Sequence, residues 1–367
     1  MRVLLVEPFL GGSHQAWAEG YQRHSANDVV IIGHEGHSWR WRLRGSWATL
    51  AAQARDLGDF DAVITSSMLD TAKFLGATRF RLGSTPVVHY MHENQLSYPV
   101  AAGQTPPVEH ILTNWAATVV ADQVWFNSQW HLDTWYAQLP DFLGRYRGDT
   151  HLDIVADVRH RSEVVPIGVD LRPFDAIPRS SRARPLVVWN QRWEHDKGLQ
   201  QLSDALRSLA EQDVACDFAF LGEVPQTPPA VITELVAWLG DRVVHAGFAD
   251  TPTYRRILRS ADIVLSTADH EFFGIAITEA IYAGAAPLLP DRLVYPERIP
   301  EKLHDRVLYR NTPELVDGLV RLIKNSAERT AIVTALHSEM GRFDWSAIAA
   351  DYDTRLASLV TRSATTA

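Results

Sequence analysis

The side chains able to do chemistry gather in four clusters. The most specific is TADHEFFGIAITEAIYAGAAPLLP, where Glu271 and Glu279 stand eight positions apart in a strand–loop–helix–strand frame. That frame puts Glu271 in the loop and Glu279 about two turns into a helix that Gly284 ends. The backbone amides of Phe272, Phe273 and Gly274 open the same helix. One carboxylate then lies near the mouth of a cleft and the other deeper along it. Carboxylates accept paired hydrogen bonds from vicinal diols, the feature shared by sugars and ribose. The second cluster, NQRWEHDKG, starts at Asn190 and holds Arg192 and Lys197 in a strand-to-helix connection loosened by Gly198. Two cations converging there would neutralise a diphosphate without a metal. The plainer alternative is an exposed charged loop, with Glu194 and Asp196 softening the field, although Trp193 is large for a solvated face.

The third cluster, HYMHENQLSYP, places His89, His92, Glu93, Asn94 and Gln95 just past a strand, where open parallel sheets bind their ligands. Such a density of hydrogen-bonding groups suits a polyol. His92 is the stronger functional candidate, and His89 reads as structural. No metal is expected, because no third ligand is implied. The fourth cluster is EPFLGGSHQAW. Gly11 and Gly12 allow a tight turn, Ser13 is a candidate N-cap and His14 follows it. A strand, a glycine turn and a helix start present amides to an anion, unless the pair merely turns the chain. The pattern is not GxGxxG, so no dinucleotide fingerprint is present.

Beside these, SWRWRLRGSW interleaves Trp39, Trp41 and Trp47 with Arg40, Arg42 and Arg44. That suits phosphate contacts and base stacking on RNA, or else a helix burying its tryptophans. Other patterns fail. Asp59–Phe60–Asp61 and Asp351–Tyr352–Asp353 sit in a strand entry and a terminal helix, poor places for a metal–nucleotide site. Cys216 begins a buried strand, and neither GxSxG nor a P-loop occurs.

Clusters like these need a scaffold that presents loops along one edge. Apolar residues run consecutively at Arg2–Val6, Val29–Ile32, Ala62–Thr65, Val87–Tyr90, Val124–Asn127 and Glu163–Pro166. A second set covers Leu186–Asn190, Asp217–Leu221, Val243–Ala246, Ile263–Ser266, Ala286–Leu289 and Val307–Tyr309. Unbroken apolar runs mark parallel strands covered on both faces. Amphipathic stretches connect them, such as Gln200–Leu209 with Leu202, Leu206 and Leu209 on one face. The expectation is α/β, two Rossmann-like domains over 1–166 and 185–344 facing each other across a cleft. The Pro- and Arg-rich stretch 167–184 reads as an exposed linker. Residues 345–367 read as a closing helix, Trp345 to Leu359, with a frayed tail from Thr361.

Bulk properties agree. At 367 residues with 46% hydrophobic and 22% charged, the chain is an ordinary globular one. A net charge of −9 argues against coating nucleic acid nonspecifically, though not against one local RNA patch. One cysteine excludes an internal disulfide. Asp122 and Glu279 interrupt the longest apolar stretches, and the N-terminus does not resemble a signal peptide, so a cytoplasmic location is expected.

Through Glu271 and Glu279, Arg192 and Lys197, the glycine turn and PIGVDLRPF (Pro166–Phe174), the chain resembles a GT-B glycosyltransferase of the retaining family-4 type. Ile167 stands where that type commonly has Asn. More closely, EPFLGGSH, HENQLSYPV, WNQRWEHDKG, STADHEFFGIAITEA and LVYPE (Leu293–Glu297) are similar to the tRNA-queuosine mannosyltransferase family, from Met1 to about Trp345. The resemblance implies GDP-mannose as donor and the queuosine cyclopentenediol of a tRNA anticodon loop as acceptor, with no further cofactor. It implies that Arg192 and Lys197 hold the diphosphate with Asn190 nearby, Glu279 the ribose, and Glu271 with the Phe272–Gly274 amides the sugar. It further implies that His92 reaches the sugar, Gly11–Gly12 close over the phosphates, and Gly247 and Phe248 border the base. Ser13, His14, Glu93, Asn94, Gln95 and the Trp39–Arg44 stretch fall to the acceptor. Two rivals are a family-4 enzyme with a small-molecule or lipid acceptor and a non-catalytic nucleotide- or RNA-binding module on the same frame.

Overall fold

A parallel strand buried on both faces must be apolar along its whole length, and must return through a helix to the edge where it began. The computed structural model of the chain, which describes residues 1–99, 108–146, 148, 150–212 and 214–366, is built throughout on that unit. Val100, the last residue of HENQLSYPV, lies outside the described residues, as does Ala367. The first sheet contains β1 (Arg2–Leu10), β2 (Asp28–Glu35), β3 (Ala62–Ser66), β4 (Val87–Met91), β5 (Gln123–Phe126) and β6 (Ser162–Val164). Its order is β2-β1-β3-β4-β5-β6, with every pair parallel. The second contains β7 (Leu186–Asn190), β8 (Asp217–Leu221), β9 (Val243–Gly247), β10 (Ile263–Leu265), β11 (Ala286–Pro290) and β12 (Leu308–Tyr309). Its order is β12-β11-β10-β7-β8-β9, again parallel. Every run read as a strand is one. The exceptions to two-sided burial are the edge strands β2, β6 and β9, the last with Val244 exposed.

The helices that frame the sites are α1 (Gly12–His24), α2 (Trp39–Arg55), α3 (Thr71–Leu82), α4 (Val108–Val120), α5 (Gln129–Leu143) and α6 (Leu152–His160) around the first sheet. Around the second they are α7 (Leu199–Ala210), α8 (Ala230–Leu239), α9 (Thr251–Ser260) and α10 (Ile275–Ala283). Leu202, Leu206 and Leu209 of α7 are buried as their spacing requires. The chain divides into two compact units, one of Met1–Gly168 with the segment from Trp345 onward, the other of Val169–Asp344.

The helix Trp345–Thr366 packs on the first sheet. Its Tyr352 accepts a hydrogen bond from Trp17 Nε1 at 3.3 Å and packs its ring near Tyr21 and Tyr90. Trp345 lies so close to the backbone at Gly20 and Gly168 that a Cβ at either would overlap the indole. The spacing of Trp345, Ile348, Ala349, Tyr352, Leu356 and Leu359 therefore identified a real buried stripe.

Three expectations need correction. The stretch from Thr361 is helical to Thr366, not frayed. The segment 167–184 is exposed as expected only in its second half, 178–184: Ile167, Val169, Leu171 and Phe174 are buried, and Arg179 Nη2 donates to Ala261 O at 2.9 Å. Pro173 opens the short 3-10 turn Arg172–Phe174, where its missing amide costs nothing. Ser13 is not a cap: a cap there would start the helix at His14, whereas α1 starts two residues earlier, at Gly12, with Gly11 at the N-cap position. Gly12, at φ +52°, takes the left-handed conformation that lets the helix start directly on the strand.

Candidate active site

In the second unit, the carboxyl end of β7 runs into NQRWEHDKG and that of β10 into TADHEFFG. Adjacent parallel strands thus bring Lys197 and Glu271 together: Lys197 Nζ lies 3.5 Å from Glu271 Oε2 and 3.0 Å from Asp196 Oδ2, and donates to His270 O at 2.9 Å. Lys197 is 7% exposed, which corrects the reading of it as a residue of an exposed loop. Burial pulls its pKa down, but the Glu271 and Asp196 carboxylates outweigh burial and hold it above the usual lysine value. For Glu271 burial pushes upward, and Lys197 together with backbone donors outweighs it, so its carboxyl sits below the ordinary range. Both groups are charged at neutral pH.

The Glu271 carboxylate also folds back on its own loop. Its Oε1 accepts from Gly274 N at 3.0 Å and Phe273 N at 3.3 Å, so two of the amides expected to face a ligand are already engaged. Gly274 is left-handed at φ +84° and starts α10. The rings of Phe272 and Phe273 are buried, so only their backbone belongs to the site. Arg192 is solvent-facing and paired with Glu194 at 3.3 Å, yet near enough that its charge opposes that of Lys197.

Glu279 stands little more than one turn into α10, which begins later than the sequence indicated. It accepts from Tyr254 Oη at 2.7 Å, and Asn190 Nδ2 reaches Tyr254 Oη at 3.2 Å and Ala276 O at 2.7 Å. Burial pushes the Glu279 carboxyl up to about 7. Asn190 Oδ1 is buried with no hydrogen-bond partner, an acceptor left over for a ligand. Tyr254, on α9, was missed: a tyrosine in TPTYRRILRS carries no local signal of a partner 25 residues on. Gly247 ends β9 at φ +108°, and the Phe248 ring beside it is 72% exposed, a flat apolar face suited to a base.

In the first unit, the carboxyl ends of β1 and β4 bring EPFLGGSH and HENQLSYP together. The buried Glu7 accepts from Phe9 N at 2.9 Å through Oε1, and its Oε2 lies 3.0 Å from His14 Nδ1. The His14 and His92 ring centroids are 4.6 Å apart. His92 Nε2 is buried with no hydrogen-bond partner, and burial, reinforced by the neighbouring imidazoles, keeps the ring neutral. Ligating atoms of Glu7, His14 and His92 all lie within 4.8 Å of one another and could hold a metal ion. The fold therefore supplies the third ligand that sequence alone did not, from a glutamate at the end of an apolar strand.

His89 is structural in its surroundings, with Nδ1 3.0 Å from Thr65 Oγ1 and its pKa lowered to about 3 by burial. Asn94 Oδ1 accepts from Leu96 N, Ser97 N and Ser97 Oγ, which shapes the turn. Gln95 Nε2 donates to Glu93 Oε1 at 3.3 Å. Ser13 is exposed at the start of α1. The stretch Trp39–Trp47 opens α2: Trp39 and Trp47 are half-buried, Trp41 is exposed, and the Arg40 guanidinium lies over the Trp39 ring. Arg42 reaches His37, and Arg44 pairs with Glu109. The DxD pairs are structural: Asp61 accepts from Arg2 N, and Asp353 accepts from Tyr21, Ser25 and Asn27.

Two parallel αβ units, each with its polar clusters at the carboxyl edge of the sheet, define a GT-B glycosyltransferase. The fold is similar to that of sucrose-phosphate synthase from Thermosynechococcus elongatus, with TM-score 0.73 at 15% identity over 99% of this chain and 100% of that one. Residues 174–336 match the family described as Glycosyl transferases group 1, and residues 2–169 match tRNA-queuosine alpha-mannosyltransferase N-terminal. A tRNA-queuosine alpha-mannosyltransferase of Drosophila melanogaster is 31% identical over 82% of this chain and 82% of its own. The chain belongs to the tRNA-queuosine alpha-mannosyltransferase family. A GDP-mannose:cellobiosyl-diphosphopolyprenol alpha-mannosyltransferase of Xanthomonas oryzae is 23% identical over 56% of this chain and 54% of its own.

Proposed function

We propose that the protein moves a mannosyl group from GDP-mannose to a hydroxyl of the queuosine cyclopentenediol in a tRNA anticodon loop, in the cytoplasm. The observation that carries this reading is family membership running through both units, including the RNA-modifying family's own N-terminal region. GDP-mannose is the finer part, supported by the donor in the name of the Xanthomonas relative. The second unit is the donor side and the first the acceptor side, with 167–184 joining 1–166 to 185–344 and 345–367 closing the fold. Among the described residues no helix is long and apolar enough to cross a membrane.

The reacting bond joins the anomeric carbon to a phosphate oxygen. As it breaks, negative charge grows on the diphosphate. Lys197 and Arg192 stabilise that charge, aided by amides at the Gly11–Gly12 turn. The acceptor oxygen bonds to the anomeric carbon on the same face, and its proton passes to the departing phosphate oxygen. Glu279 takes the ribose hydroxyls, with Asn190 beside it, and Gly247 and Phe248 border the base. Glu271 takes the sugar through Oε2, since its Oε1 is held by the loop amides. His92, neutral and with an unused Nε2, is the contact to the transferred sugar from the first unit. His14, Glu93, Gln95 and the α2 start serve the acceptor.

The test is mass spectrometry of nucleosides from queuosine-containing tRNA incubated with GDP-mannose, GDP-glucose or UDP-glucose in turn. One hexose on queuosine with GDP-mannose is expected. GDP release that ignores the presence of tRNA would count against the acceptor. Transfer should persist in excess EDTA, because neither DxD is placed to hold a metal and Lys197 and Arg192 would supply the charge at the leaving group. Strict dependence on a divalent ion would instead give Glu7, His14 and His92 to a metal. Replacing Arg40, Arg42 and Arg44 by Gln should weaken tRNA binding and shallow log affinity against log salt by up to ~0.9 for each phosphate no longer neutralised. Sugar-nucleotide hydrolysis without tRNA should be unaffected. An unchanged salt slope makes the α2 start purely structural.

A further inference from the structure

Charge is unevenly spread over the first unit. The adjacent helices α2 and α3 carry seven of the chain's 35 basic residues and none of its 44 acidic ones, so the rest of the chain stands at −16. Arg44, Lys73 and Arg81 pair with Glu109, Asp70 and Asp59 on neighbouring segments, but the two helices bring no carboxylate of their own, and such a basic layer on an acidic protein offers a surface to a polyanion. The layer has two ends. The α2 start, with Arg40 and Trp41, follows the carboxyl end of β2. Arg55 closes α2 at the opposite, amino edge of the sheet, roughly 25 Å away by helix rise. The last turn of α3 lies at that same amino edge, since Arg81 approaches Asp59 in the loop entering β3, at 3.9 Å.

At this far end Phe80 is 86% exposed, and the Arg79 guanidinium lies over its ring at 4.3 Å. An open surface depression of about 530 Å³ is lined by Arg55 of α2 and by Arg79, Phe80 and Arg81 of α3 among others. Among the described residues, no carboxylate lies within ion-pair distance of Arg55 or Arg79. The exposed ring stacked under Arg79, with Arg55 and Arg81 beside it, offers three positive charges around one apolar face.

We propose that the Arg55–Arg79–Phe80–Arg81 patch grips the stem of the RNA whose loop is held at the α2 start. The inference rests on the tRNA reading and adds a second contact to it. Double-stranded RNA is held by phosphate and shallow-groove contacts, which need no base-specific group. The arginines take phosphates, and Phe80 packs on the exposed ribose edge. Asp56 and Asp59 flank the patch and reduce its net charge, Asp59 by pairing with Arg81.

The test compares wild type with Arg55→Gln/Arg79→Gln/Phe80→Ser/Arg81→Gln on two RNAs, a full-stem acceptor stem-loop and the same loop on a shortened stem. The variant is expected to lose about tenfold or more in affinity for the full stem, with a salt slope shallower by up to ~2.7 for three phosphates. Binding of the shortened stem should match wild type, which also certifies the fold. Equal loss on both RNAs, or an unchanged slope on the full stem, overturns the proposal. So does loss of sedimentation with phosphatidylserine vesicles while RNA binding stays intact. If wild type binds neither RNA, the tRNA reading itself fails, a separate result.

Discussion

Lys197→Ala should lower turnover by about 10²–10³, the scale of losing one preorganised donor to developing charge. Its second effect comes from burial. The ammonium sits between Asp196 and Glu271, so removing it leaves the buried Asp196 and the partly exposed Glu271 without their cation. Breaking a buried pair in this way costs about 3–5 kcal/mol. Sequence alone had this lysine on an exposed loop and implied an undisturbed core; the geometry reverses that half of the expectation. The pH dependence has a definite sign. In wild type Glu271 ionises below its ordinary value, a contribution to stability present above that value and lost as acid protonates it. Without Lys197, burial dominates and Glu271 binds its proton more readily, so the variant's deficit should shrink as pH falls. Lys197→Arg keeps the charge and should recover stability more than rate. Urea denaturation across pH, beside kcat, checks all three. Near-normal kcat in Lys197→Ala would remove the lysine from the diphosphate.

Glu279 gives the second large effect. Its carboxyl titrates near 7 in the folded protein because burial disfavours the anion, against 4.5 as the ordinary value. The folded state therefore holds this proton more tightly than the unfolded chain. The resulting stability is complete below the ordinary value, drains away between the two, and is flat above about 7. The loss is on the order of 1–3 kcal/mol. Ligand binding should run the other way. Ribose hydroxyls donate to the anion, so GDP affinity should rise about 10- to 100-fold from weakly acidic to weakly basic pH. Glu279→Gln should flatten both curves, read by calorimetry with GDP and by thermal melts over the same range. A GDP–pH profile identical to wild type would assign Glu279 to Tyr254 alone.

What could be read without coordinates follows from the range of the interactions. Strands such as Val3–Val6 and Val187–Val188 are buried through apolar side chains alone, a property of consecutive residues. The closing helix was equally visible, since Tyr352 and Leu356 repeat at helical spacing. Lys197 with Glu271 could be nominated from their neighbours, but not their separation, because β7 and β10 meet only in the folded sheet. Glu7 and Tyr254 escaped for the same reason. Each is a single polar residue whose partner lies on another element, His14 on α1 and Glu279 on α10. Helix starts were the other weak point. Whether α1 began at His14 or Gly12 turned on a left-handed glycine that composition does not reveal.

The helix Trp345–Thr366 makes the first unit discontinuous in sequence, with the whole of the second unit inserted before its last piece. During synthesis at about 5–20 residues per second, Trp17, Tyr21 and Tyr90 would wait roughly 13–67 s for Tyr352 to be made. The second unit is contiguous from 169 to 344 and depends on no later segment. The half of the protein translated later is thus the half encoded in one unbroken stretch. A chain truncated at residue 344 would keep the whole second unit but only a first unit missing its final aromatic face.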